Sequence, residues 1–184
     1  PARHSPTFLS GRLRLANVTT MAVLRPGVQE RILLHLRDYV DHADKVEVPF
    51  ALSQMGIANA VAIARSNVPR AIAGMREQGH LIERQAHVTG VSRKRKAYFL
   101  TEEGANIAND IWAKVSTQQV RIVHSDGRSE TLELAQALES TDLPMRHVDF
   151  LRYLDDTGTV DLSALSAELI ERDLSKHIEK QLVT

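Results

Sequence analysis

The sequence predicts a mainly helical fold with one small β wing, followed by a small α+β module. Three observations predict it. Apolar residues recur at helical spacing between residues 28 and 78, a β-hairpin pattern with an all-cationic tip occupies 81–100, and both charge and pattern change near residue 118.

The first 24 residues carry three arginines, two prolines and no acid, and their alternating "GRLRLAN" reads as an extended arm. "PGVQERILLHLRDYV" places Val28, Ile32, Leu33, Leu36 and Val40 on one helical stripe, with the helix ending near Tyr39. "KVEVPF" is a short β-prone run stopped by Pro49. Ser53 then caps a helix with Met55, Ile57 and Val61 as its apolar residues. A second helix follows in "RSNVPRAIAGMREQG". Ser66 is its expected cap, Pro69 sits in the first turn where no intrahelical N–H bond is lost, and Val68, Ile72 and Met75 form its buried stripe. Ala71 and Gly74 are read as small residues on its outer side, and Gly79 ends it in the left-handed conformation.

"HLIERQAHV" and "KAYFL" read as two strands joined through "TGVSRKR", a long basic tip. Thr101 caps the next helix, where Glu102 and Glu103 favour the positive end of the helix dipole and Ile107, Ile111, Trp112 and Val115 make the stripe. The last third changes character. "VRIVHSDGRSETLEL" alternates about Asp126-Gly127, the pattern of a hairpin with a two-residue turn. "LAQALES", "MRHVDFLRYLDD" and "DLSALSAELIERDLSKHIEKQLV" read as helices broken at Pro144 and Gly158, and the pattern runs to the last residues, as in a piece of a longer protein.

Three units are expected: a basic arm over 1–24, a compact domain over 25–118 and an accessory module over 119–184. The chain has 184 residues and zero formal net charge, but its charge is unevenly divided. The arm is +3. Residues 25–118 hold 13 Lys/Arg against 10 Asp/Glu, again +3, and residues 119–184 hold 7 against 13, or −6. A basic front suggests an anionic partner there.

Composition excludes several classes. Hydrophobic residues make up 43% and charged residues 25%, enough for a packed core. With no cysteine there is no disulfide framework, zinc-thiolate site or cysteine nucleophile, which fits a reducing compartment. No apolar run approaches the roughly 18 residues of a membrane helix, and no secretory signal opens the chain. Gly-rich phosphate loops, HExxH and G-x-S-x-G are absent. The eight histidines are scattered. His35, Asp38 and His42 share a formal helical metal geometry, but the helix is expected to end too soon to build it. The expectation is therefore a non-enzyme with no cofactor and no metal, in the cytoplasm.

The order helix, strand, helix, helix, strand, wing, strand, helix is that of a winged helix-turn-helix. The stretch "VPFALSQMGIANAVAIARSNVPRAIAGMREQGHLIERQAHVTGVSRKRKAYFLTEEG" resembles the winged helix of the MarR-like transcription regulators, in the form found at the front of larger archaeal regulatory proteins. The resemblance covers about residues 28–115. It implies a fold with a recognition helix for the major groove of duplex DNA and a wing for the phosphate backbone.

On that reading Asn67 and Arg70, off the buried stripe near the helix start, face base edges, since asparagine suits adenine and arginine suits guanine. Arg65 and Ser66 lie where a phosphate would meet the helix N-terminus, and Gln54 starts the preceding helix. Arg93, Lys94, Arg95 and Lys96 are the wing's phosphate contacts, two or three of them acting together. In such proteins the terminal helices often build a two-fold dimer, which makes Ile107, Ile111, Trp112 and Val115 candidate dimer contacts. The plainer alternative packs that stripe on the domain's own first helix. Two rival readings accompany this one: a winged helix that docks an acidic protein, and a rear module that senses a small-molecule effector.

Overall fold

The computed structural model of the chain describes residues 26–140, 151 and 158–167. The arm over 1–24, the "MRHVDFLRYLDD" helix apart from Leu151, and the chain after 167 lie outside the described residues.

Helix α1 spans Val28–Arg37, opened by a Glu30 carboxylate that accepts the Gly27 N–H at 2.7 Å. It buries Ile32, Leu33, Leu34, His35 and Leu36, and the His35 ring donates from Nε2 to the Ala51 carbonyl at 2.9 Å. The helix ends at Arg37 with Asp38 as its cap, close to the expected end near Tyr39. Val40, expected on its stripe, lies in the single 3-10 turn Val40–His42 and is 46% exposed. Beyond the helix, Arg84 donates to the carbonyls of His42, Ala43 and Lys45. The same guanidinium lies 4.3 Å from the Phe99 ring centroid.

Strand β1 is Glu47–Val48, and a 3-10 turn over Phe50–Leu52 leads to α2, Gln54–Val61. Ser53 caps α2 as its sequence suggests, its Oγ accepting the Gly56 N–H at 3.1 Å. Gly56 is required there because a Cβ would overlap the Phe50 carbonyl. The chain leaves α2 through Ala62 in the left-handed region, φ 55°. It then makes the turn Arg65–Asn67 and enters α3, Val68–Glu77. Gly79, φ 78°, closes α3, with the His80 N–H reaching back to the Met75 carbonyl at 2.8 Å.

Strands β2, Leu81–Val88, and β3, Arg95–Leu100, pair antiparallel from Leu81↔Leu100 to Ala86↔Arg95, while β1 lies parallel to β2. Helix α4, Glu102–Ser116, is capped by Thr101 and packs on α1, where Arg37 Nε donates to Asn109 Oδ1 at 2.7 Å. This is the element order of a winged helix.

The rear strands β4, Gln119–Val123, and β5, Ser129–Glu133, form the expected hairpin, but not with a two-residue turn. Such a turn needs positive φ at both central residues or at the first of them, and of Asp126 and Gly127 only the second, Gly127, has it, at 83°. Its N–H bonds the His124 carbonyl at 3.0 Å and His124 bonds Arg128, making a longer turn with glycine at the left-handed position. Helix α5 is Leu134–Ser140. Thr159–Asp161 forms β6, parallel to β4, an element absent from the sequence reading, and residues 162–167 are helical. Val120, Ile122, Leu134 and Val160 join the same buried cluster as the front helices.

Candidate nucleic-acid interface

Helix α3 divides into an inner and an outer side as its stripe requires. Val68, Ile72 and Met75 are at most 2% exposed, while Arg65, Ser66, Asn67, Pro69, Arg70 and Ala73 face outward. Two details differ from the sequence expectation. Ser66 does not cap α3. It lies inside the turn that runs into the helix, the cap position belongs to Asn67, and no side chain fills the cap. Asn67 and Ser66 therefore keep their side-chain polar groups for other partners. Ala71 and Gly74 are not the outer small residues. Gln29 of α1 donates to the Ala71 carbonyl at 3.2 Å and lies 3.7 Å from where a Gly74 Cβ would stand, so this flank faces α1. Ala73 is the small residue on the outer side.

The register of the wing sorts its four cations. Arg95 and Lys96 are already in β3, opposite Ala86 and Gln85, so only Arg93 and Lys94 stand in the connecting loop. Lys96 Nζ is 2.8 Å from Glu83 Oε1, and Arg76 Nη1 of α3 is 3.0 Å from the other Glu83 oxygen. A hydrogen bond from Lys96, with the charges of Lys96 and Arg76 and a bond from Tyr98, holds the Glu83 carboxyl below its usual value despite partial burial. Burial, reinforced by the Glu83 charge, pushes the Tyr98 hydroxyl up. Arg93, Lys94 and Arg95 make no ion pair among the described residues. Lys96 braces the stem of the wing, and the other three cations are available.

Wing and helix pair meet at a cleft of about 510 Å3. Arg65 from the α2–α3 turn and Lys94, Arg95 and Lys96 from the wing line it together. Its apolar wall is Phe50, Met55, Val88 and Val91, and Gln54 and Gln85 add amides. Among the described residues no carboxylate lines it. Gln54 is tied down, its Nε2 donating to the Arg65 carbonyl at 3.1 Å, so it links the start of α2 to the start of α3. Met55, expected on the apolar side of α2, is 39% exposed, and Phe50 is 43% exposed. The sequence reading missed Phe50, Gln85 and Glu83. The only prior signal was Glu83 and Lys96 lying on strands expected to pair, and it becomes usable once the register is known.

The stripe of α4 is largely consumed within the chain. Val115 is 1% exposed, and Ile107, Ile111 and Trp112 are half-buried. Arg37 of α1 lies 5.8 Å from the Trp112 ring centroid. Among the described residues no group of three or more His, Asp or Glu could hold a metal ion, and no helix is long and apolar enough to cross a membrane.

No family model and no curated protein sequence matches the chain. Solved structures similar to it include a zinc-responsive MarR family member, ZitR of Lactococcus lactis, with 24% identity and a TM-score of 0.36 over 50% of this chain and 54% of that one. The match thus spans about half the length of that protein. A double mutant of the same ZitR has 18% identity and a TM-score of 0.40, over 90% and 81% of the two chains. MepR, a transcription regulator of the Staphylococcus aureus multidrug efflux pump MepA, has 15% identity and a TM-score of 0.36, over 84% and 78%.

Proposed function

We propose that this chain, whose front half resembles the MarR-like winged helices, is a sequence-specific regulator that binds double-stranded DNA. The observation that carries the reading is the shared cleft: Arg65, at the front of α3, and the wing cations line one surface, and among the described residues no acid lines it. A polyanion meets that surface at two places at once. Helix α3 enters the major groove with Asn67 and Arg70 toward base edges, while Arg93, Lys94 and Arg95 hold phosphates of an adjacent strand. Arg65, Ser66 and Gln54 sit where the backbone passes the start of α3. Lys96 is a lesser contact because Glu83 already neutralises it. A two-fold dimer reading paired half-sites, formed through what remains accessible of Ile107, Ile111 and Trp112, and a cytoplasmic location belong to the same reading.

The test is a salt titration of binding to random-sequence duplex, followed by selection of bound sequences from a random pool. With three wing phosphate contacts, replacing Arg93, Lys94 and Arg95 by alanine lowers the slope of log K against log salt by about 2.7. If no duplex is bound at low salt and an acidic partner protein is captured instead, the surface is a protein-docking site and the DNA reading fails.

A further inference from the structure

The cleft between wing and α2 holds more than a phosphate track requires. Phosphates need donors and positive charge, which Arg65, Lys94 and Arg95 supply. They do not need Phe50 and Met55, which line the same cleft and stand 43% and 39% exposed, among the few large apolar side chains left in water among the described residues. Nor do they need Gln85, an exposed amide with no partner among the described residues. An amide offers a donor and an acceptor together, the pair that the edge of a nucleobase matches.

We propose that this cleft binds an unpaired nucleotide, its base against Phe50 and Met55 and its phosphates toward Arg65, Lys94 and Arg95. A base in the interior of a duplex has both faces covered by its neighbours, whereas an unpaired or extruded base can offer a face to an aromatic ring. The volume of about 510 Å3 lies within the range of small-ligand sites. The charge is spread over a turn and a wing rather than gathered at one point, which suits successive phosphates better than a single carboxylate. Lys96 takes no part, since Glu83 holds it. This inference rests on the reading of the same surface as a DNA-binding one, and it names the form of DNA that binds best: a duplex with an unpaired nucleotide beside the wing.

The experiment uses the full chain and three probes: a blunt duplex, the same duplex with a short single-stranded thymidine overhang, and free dTMP. Base–aromatic stacking predicts that the overhang tightens binding about tenfold. Phe50→Ala, at a half-open position, should remove that gain while leaving blunt-duplex affinity and melting temperature in place. Met55→Ala should reduce the gain in part. Free dTMP bound by the native chain and lost in F50A, without an overhang preference, assigns the site to a free nucleotide rather than one within a strand. Equal affinity for blunt and overhang duplex, with no dTMP binding, overturns the inference and leaves duplex binding standing. A chain that binds neither duplex nor dTMP overturns both readings.

Discussion

Glu83 holds Lys96 and Arg76 at once, one on the neighbouring wing strand and one on α3. Its carboxyl is held below the ordinary value of 4.5, so its contribution to stability is present above that pH and is lost as pH falls through the lowered value. The three side chains are 21–54% exposed, so Glu83→Gln should cost under about 1 kcal/mol in denaturant unfolding at neutral pH, and the difference from the native chain should shrink in acid. The same substitution releases Lys96 and should steepen the salt dependence of duplex binding by about 0.9, the reverse of an alanine effect. Ala62 is the other telling residue. A non-glycine residue at φ 55° strains the backbone, and glycine relieves it. Ala62→Gly should raise stability by up to about 1 kcal/mol by thermal melting, with duplex binding unchanged. Arg70→Ala should cost about 1–3 kcal/mol on a selected sequence and much less on random duplex.

Helices and strands show where local pattern suffices and where it does not. The caps at Ser53 and Thr101, the stripe of α3 and its end at Gly79 were legible because each depends on residues within one turn of one another. The exposure of Val40 was not, because the chain enters a 3-10 turn after the helix and carries that residue off the stripe. The cap of α3 was misread because a turn over Arg65–Asn67 runs directly into the helix and leaves Ser66 inside it. For the candidate site, residue types were legible and roles were not. Four consecutive cations look alike until the β2–β3 register sets Lys96 beside Glu83 and leaves the other three unpaired. The elements also meet at points with no room to spare. A Cβ on Gly104 would overlap the His80 carbonyl, where α4 crosses the start of β2. Gly104→Ala should therefore cost about 1–3 kcal/mol in equilibrium unfolding, although alanine is the better helix former.

At the scale of the whole molecule, buried residues of front and rear belong to one cluster that runs from Ile32 to Leu165. Leu134 is fully buried, so Leu134→Ala should cost about 2–5 kcal/mol. It should also lower the melting temperature seen by Trp112 fluorescence in α4 and by protection of β2–β3 amides together. Two separate transitions would show that the rear module folds apart from the winged helix. The charge asymmetry acts at the same scale. Rear acids Glu130 and Asp126 hold His124 and Arg128 within their own hairpin, and among the described residues no rear acid lines the cleft beside the wing.

The sequence by itself determined the helical stripes, their caps, the wing and the uneven charge, because each is a matter of periodicity or composition over a few neighbouring residues. Only the tertiary structure decided which wing cation is neutralised, how β6 completes the rear sheet and that Phe50 and Met55 share a cleft with Arg65 and the wing. Those outcomes depend on residues far apart in the chain, and strand register and helix packing bring them within hydrogen-bonding reach.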